Sequence, residues 1–184
     1  MGEIIKIAIT GTPGVGKSTI SKILVDELNK NNKDNEDKNN YKYIDITQIV
    51  KDNNLYIEKD MSMDSYVVDF SELRKYLKKE YADNPNIVLD GHISHLLDVD
   101  YIIVIRCNPE IILDRLKGRK YSDNKIKENV EAECLDVCLI ESLDNSPNVY
   151  EIDTTNRTPH NIVSEIIEAI ENNLTKKGVV DWLN

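Results

Sequence analysis

Residues 11–18 read Gly-Thr-Pro-Gly-Val-Gly-Lys-Ser, a full match to GxxxxGK[ST], and they lie between two segments of different period. Before them, Ile4 to Thr10 is a β-branched run; after them, Ile20, Ile23, Leu24 and Leu28 recur at helical spacing. A strand that enters a helix through glycines turns its backbone N–H groups inward, and the helix adds its positive end, so an anion is held by dipoles and by the Lys17 ammonium. The motif in this context predicts triphosphate binding by Gly11, Pro13, Gly14, Val15, Gly16, Lys17, Ser18 and Thr19, with the Ser18 hydroxyl serving Mg²⁺. That reading far outweighs a glycine-rich turn that merely joins strand to helix.

The rest of the chain continues the alternation of strand and helix signals, which predicts an α/β fold with a mainly parallel sheet. Tyr43 to Ile46, Ile87 to Asp90, Tyr101 to Arg106 and Val149 to Ile152 read as further strands, giving five with the first. About six helices are expected: from Ser18 to about Lys30, over TQIVKDNNL, from Ser71 to about Tyr81, from Pro109 with Asn108 as its cap, from about Asp123 to Leu143, and from Thr158-Pro159 onward. The long segment carries Ile126, Val130, Cys134 and Val137 as its stripe, and the last helix Val163, Ile166, Ile167, Ile170 and Leu174. Residues 56–68 show no clear period, and residues 29–40, without an apolar side chain, are expected to form a polar insertion.

At 184 residues one domain is the prior. The 33 acidic against 23 basic residues give a net charge of −10, which disfavours direct binding to a nucleic-acid backbone. No apolar run approaches the roughly 18 residues that span a bilayer. Cys107, Cys134 and Cys138 cannot all pair and have apolar flanks, which suits a reducing cytoplasm; Cys134 and Cys138 read as small core residues, with no structural zinc expected.

Two further clusters bear on chemistry. Asn86 to Asp90 is an apolar strand that delivers Asp90 to the carboxyl edge of the sheet, where a second carboxylate would join a metal shell. His92, two residues on, could orient a water or a phosphate, or be a turn residue; His95 and His160 lack any motif and read as structural or solvated. Arg115, Lys117, Arg119, Lys120, Lys125 and Lys127 concentrate cations in an acidic chain, and the spacing of Arg115 and Arg119 predicts both guanidinium groups on one helical face, able to close over a moving phosphoryl group. A GTPase is disfavoured because Asn32-Lys33-Asp34 lacks the spacing and strand of a guanine-reading segment. Large ATPases are disfavoured because Gly91 rather than Glu follows Asp90. A small kinase fits, and shikimate, gluconate or cytidylate kinases share these features, since fold does not choose the acceptor.

Over nearly its whole length the chain resembles the small adenylate-kinase-like proteins of archaea and eukaryotic nuclei, the family called adenylate kinase isoenzyme six in animals. The carriers are GTPGVGKST, YKYIDI followed by Lys51 and NNLY, VLDGH, VIRCNPEIILDRLKGRKY and KIKENVEAE. The R-L-x-x-R-x-Y pattern (Arg115, Leu116, Arg119, Tyr121) joined to K-I-x-E-N-x-x-A-E is far more specific than the phosphate loop.

The resemblance implies a P-loop NTPase with the nucleoside-monophosphate-kinase fold: a five-stranded parallel sheet covered by helices on both faces, with a core of about residues 1–30 and 86–184, an AMP-binding region of about 43–82 and a short lid of about 115–128. It implies phosphoryl transfer from Mg-ATP to AMP together with ATPase activity. Lys17 would meet the β/γ-phosphates, Ser18 and Asp90 the Mg²⁺, and His92 matches the histidine of the family's D-x-H strand end. Arg115 and Arg119 would act from the lid, Arg106 would be a further phosphate contact, and Thr154 to Arg157, with Thr155, would pack the adenine. Where relatives carry an arginine that meets the monophosphate, this chain has Lys51, a point charge without a bidentate fork. The resemblance further implies a role in small-ribosomal-subunit maturation with a small-subunit ribosomal protein as partner, so a nucleotide-gated assembly ATPase with weak kinase activity stands as the alternative.

Overall fold

The computed structural model describes residues 6–31, 40–60, 65–119 and 121–183. Residues 32–39 of the expected polar insertion lie outside these, as do Ile4 and Ile5 of the expected first strand, residues 61–64 of the expected AMP-binding region and Lys120 of the expected lid.

Five strands, β1 (Lys6–Thr10), β2 (Lys42–Asp45), β5 (Ile87–Asp90), β6 (Tyr101–Arg106) and β7 (Val149–Asp153), form one parallel sheet in the order β2-β5-β1-β6-β7. Their near-continuous apolar runs are explained by burial on both faces. Ile7 and Ile9 of β1, with Ile103 and Ile105 of β6, point toward α1 (Lys17–Asn31), α4 (Pro109–Lys117) and α7 (Pro159–Glu171). Ala8, Ile102 and Val104 point the other way, to Leu139 of α6 (Val137–Asn145). A separate cluster joins Ile44, Ile87 and Leu89 to Val50 of α2 (Ile46–Asp52) and to Leu73 and Leu77 of α3 (Phe70–Glu80). Strand order reverses around the central β1, and the carboxyl ends of such strands leave a crevice at the reversal.

The expected helix starts are present with their caps: Asn108 accepts from the Glu110 amide at 2.8 Å and Thr158 from that of Asn161 at 3.4 Å. Three expectations are corrected. Residues 56–68 contain a hairpin, β3 (Tyr56–Asp60) paired antiparallel with β4 (Ser65–Val68), whose period is obscured by a register shift between Tyr56 and Glu58 and by shallow burial. The single helix expected over 123–143 is two, α5 (Asp123–Cys134) and α6, because Asp136 adopts a left-handed conformation (φ 56°) and turns its carboxylate to Arg106. Leu174 lies beyond the end of α7 and is exposed, its place on the buried face being taken by Ile162 and Ala169. Among the described residues no helix is long and apolar enough to cross a membrane.

Leu24 of α1 is fully buried in the largest cluster. Leu24→Ala is expected to destabilise the fold by about 2–5 kcal/mol, read as a lower urea midpoint at unchanged slope.

Candidate functional site

The turn from β1 into α1 is built on glycine. Gly11 has φ +135°, and a Cβ there would lie 2.3 Å from the Ile105 carbonyl oxygen, so any side chain would push β1 from β6. Gly14, at φ +101°, packs against Ile112 and Leu116 of α4. The loop thus curls back over the sheet edge, and Lys17 opens α1 with its ammonium donating to the carbonyls of Gly11 (2.7 Å) and Thr12 (3.0 Å). Desolvation lowers the Lys17 pKa below the ordinary lysine value; Asp90 and Glu133 oppose that shift and Arg119 adds to it.

A cleft of about 640 Å³ opens over this loop. It is lined by Pro13, Gly14, Gly16, Lys17, Ser18 and Thr19 of the loop and helix start, by Asp90 at the end of β5, and by Gly91 and His92 after it. It is also lined by Asp45 and Thr47 at the β2–α2 corner, Lys51 in the last turn of α2, Tyr66 of the hairpin, and Arg119, Tyr121, Lys125 and Asn129 from the α4–α5 side. The Lys51 ammonium lies 5.5 Å from the centre of the Tyr66 ring, which packs against Tyr56 with ring centres 4.7 Å apart.

Asp90 is buried at the end of β5 and accepts from the Tyr43 hydroxyl at 2.8 Å. Burial and that carboxylate raise the Tyr43 pKa, so the phenol stays a donor, and the nearby Ser18 hydroxyl opposes the rise. Tyr43 therefore holds Asp90, which with Ser18 is expected at a divalent cation. An anionic carboxylate and a hydroxyl are hard oxygen donors, a set that fits Mg²⁺.

His92 is exposed and lines the cleft. Desolvation first, then the charges of Lys17, His95 and Lys125, bring its pKa down to about 4. The ring is neutral at physiological pH. His95 is buried: its Nδ1 meets the Thr10 hydroxyl at 2.7 Å and its Nε2 meets Glu141 at 2.9 Å. A neutral ring with its proton on Nε2 satisfies both bonds, and burial lowers its pKa against the pull of Glu141. His95 is thus structural.

Other expected residues lie elsewhere. Arg115 and Arg119 do not share a helical face, since α4 stops at Lys117 and Gly118 caps it. Arg115 donates to the Gly14 carbonyl at 2.9 Å from outside the cleft, whereas Arg119 lines it. Thr155 accepts from the Asn108 amide at 2.9 Å, in the loop after β7 whose Thr154 hydroxyl reaches the Val15 carbonyl at 3.4 Å.

Arg106 is the clearest correction. It is 1% exposed and donates to Glu133 (2.9 Å), to Glu151 (2.7 Å) and to Asp136, so its guanidinium is spent on carboxylates and reaches no phosphate site. Burial opposes its charge, but Glu133 and Asp136 more than restore it. Tyr43 and Glu133, which organise the site from behind, lie in the YKYIDI and KIKENVEAE segments that carry the resemblance, but those segments by themselves assign neither a role, because their roles depend on which strands and helices become neighbours.

A family model described as an AAA domain matches residues 7–136. A protein of Methanocaldococcus jannaschii named "Putative adenylate kinase" is 56% identical over 177 residues, covering 96% of this chain and 92% of that one. The chain belongs to the archaeal adenylate-kinase-like family. A protein of the same name from Pyrococcus abyssi is 45% identical over 177 residues, covering 96% and 90%. Among solved structures, shikimate kinase from Acinetobacter baumannii in complex with shikimate matches with a TM-score of 0.62 at 16% identity, covering 94% of this chain and 96% of that one. Thymidylate kinase from Candida albicans matches at 0.57 and 17% identity, covering 93% and 92%. At such identity the likeness is one of fold, that of the P-loop nucleotide and small-molecule kinases.

His92 links the cleft to pH. Between the ordinary histidine value of 6.5 and about 4, the unfolded chain holds a proton that the folded His92 refuses. Stability therefore falls as pH drops through that window and levels off below it. His92→Asn is expected to flatten part of this loss in urea titrations at pH 4–7, with His95 supplying the remainder, and the His92 ring in the wild type should titrate near 4 by NMR.

Proposed function

We propose that the chain transfers the γ-phosphoryl group of Mg-ATP to AMP, giving two ADP. The observation that carries this reading is that one cleft is lined both by the phosphate loop and by Lys51 and Tyr66, which would let donor and acceptor share it. On this reading the loop amides and Lys17 hold the β- and γ-phosphates, and Arg119 meets the charge that spreads over the moving phosphoryl oxygens. Lys51 takes the AMP phosphate as a point charge, and Tyr66 offers a ring face beside it. Neutral His92 orients a phosphate oxygen by hydrogen bonding.

Ser18 and Asp90 would hold Mg²⁺, with Tyr43 fixing the carboxylate. The ion supplies charge neutralisation on the phosphates. The attacking AMP phosphate oxygen needs no general base, since it is already anionic, and the reaction passes through no covalent enzyme intermediate. Slow hydrolysis of ATP is the expected side reaction when water occupies the acceptor place. The free thiols of Cys107, Cys134 and Cys138 favour a reducing, cytoplasmic setting.

A second reading, a nucleotide-gated assembly factor in small-ribosomal-subunit maturation, draws on the net charge of −10, which would attract a basic ribosomal protein. ADP formation from Mg-ATP with no acceptor, then with AMP, CMP, UMP or shikimate, separates the two. Selective stimulation by AMP, lost by at least about 10²-fold in Lys17→Ala, is the expected result. ATP loss indifferent to every acceptor would overturn the kinase assignment in favour of the assembly factor.

A further inference from the structure

Glu133, near the end of α5, is 2% exposed and is shared by four donors. Its Oε2 accepts from the Thr12 hydroxyl at 2.6 Å. Its Oε1 accepts from Arg106 Nε at 2.9 Å, from the Cys107 amide at 3.2 Å and from the Trp182 indole at 3.3 Å. Thr12, itself 2% exposed, is the second residue of the phosphate loop, and its carbonyl is one of the two that hold the Lys17 ammonium. One side chain outside the loop therefore clamps the loop residue on which the lysine rests.

The helix that carries Glu133 also borders the cleft. Lys125, Glu128, Asn129 and Ala132 line it along α5, while the far end of the same helix is anchored through Glu133 to Thr12. A helix moves as a rigid body, so a change in how α5 seats against bound nucleotide reaches Thr12 through one hydrogen bond. Arg106, held also by Glu151 and Asp136, keeps the carboxylate oriented from behind. The C-terminal segment closes the cluster, for the Val179 amide donates to Glu151 at 2.8 Å and brings Trp182 onto Glu133.

We propose that Glu133 is a positioning residue for phosphoryl transfer, acting through the Thr12 hydroxyl to couple the seating of α5 over the cleft to the setting of the phosphate loop around Lys17. The proposal rests on nucleotide turnover at this loop and not on which acceptor is used. Phosphate binding by the loop amides survives loss of the hydroxyl, whereas alignment of Lys17 does not, so the defect falls on turnover more than on binding.

Thr12→Val keeps the shape and removes the hydroxyl; Thr12→Ser keeps the hydroxyl; and Thr12→Ala differs from Thr12→Ser by one oxygen, which preserves the comparison should the valine variant fold poorly. The expected result is a kcat lower by about 10- to 100-fold in the valine and alanine variants, with ATP affinity by calorimetry changed by less than about threefold and kcat restored by serine. Trp182 is the chain's one tryptophan and touches Glu133, so its emission reads the coupling directly. Mg-ADP is expected to shift that emission in the wild type and the serine variant, and to leave it unmoved in the valine and alanine variants that still bind.

A kcat within twofold of wild type without the hydroxyl, equal loss in the serine and alanine variants, or an emission change that persists in the alanine variant would each overturn the proposal. Turnover of ATP is followed with and without AMP. A wild type that ignores AMP overturns the acceptor assignment alone, while the comparison among Thr12 variants still decides this one.

Discussion

Burying the guanidinium of Arg106 obliges the chain to bring carboxylates to it from three directions, and much of the architecture follows from that requirement. Glu151 comes from the neighbouring strand β7, Glu133 from the end of α5, and Asp136 from the left-handed residue that separates α5 from α6. An unpaired charge in the interior is prohibitively unfavourable, and stripping one partner from a buried ion pair costs about 3–5 kcal/mol. The break between the two helices is thus tied to an electrostatic need, which explains why an apolar stripe that runs unbroken in sequence is divided in space. The same cluster draws in the phosphate loop through Thr12 and the C-terminal segment through Val179 and Trp182.

The phosphate loop is held from several sides at once, which is what catalysis by positioning requires. Gly11 permits the close approach to Ile105, Arg115 holds the Gly14 carbonyl from outside, and the Thr154 hydroxyl reaches the Val15 carbonyl from the loop after β7. The chain as a whole carries −10, yet Lys17, Lys51, Arg119 and Lys125 all border one cleft. Asp45, Asp60, Asp90 and Glu128 line the same cleft, so its formal charges balance while the chain as a whole is acidic, and the acidic surface outside it repels polyanions.

The strands that make the sheet were legible because parallel strands buried on both faces leave an unmistakable run, as in Tyr101 to Arg106. The hairpin of Tyr56–Asp60 and Ser65–Val68 was not, because its exposed face and register shift remove the alternation that marks a strand. Arg106 shows the limit more sharply. At the end of an apolar strand beside a nucleotide loop it reads as a phosphate ligand, and only the arrival of Glu133, 27 residues away, and Glu151, 45 residues away, turns it inward.

The sequence by itself determined the local chemistry of this protein: a glycine-built loop ending in Lys17 and Ser18, an apolar strand ending in Asp90, caps at Asn108 and Thr158, and the family to which the chain belongs. These are properties of contiguous residues, where backbone conformation and side-chain type act over a few bonds. Tertiary structure alone decided that Tyr43 would hold Asp90, that Arg115 would stand behind the loop while Arg119 lines the cleft, and that Glu133 would meet Thr12 across 121 positions. Those pairings depend on strand order and helix placement, which are set by the burial of all the apolar faces together and so are written in no single segment.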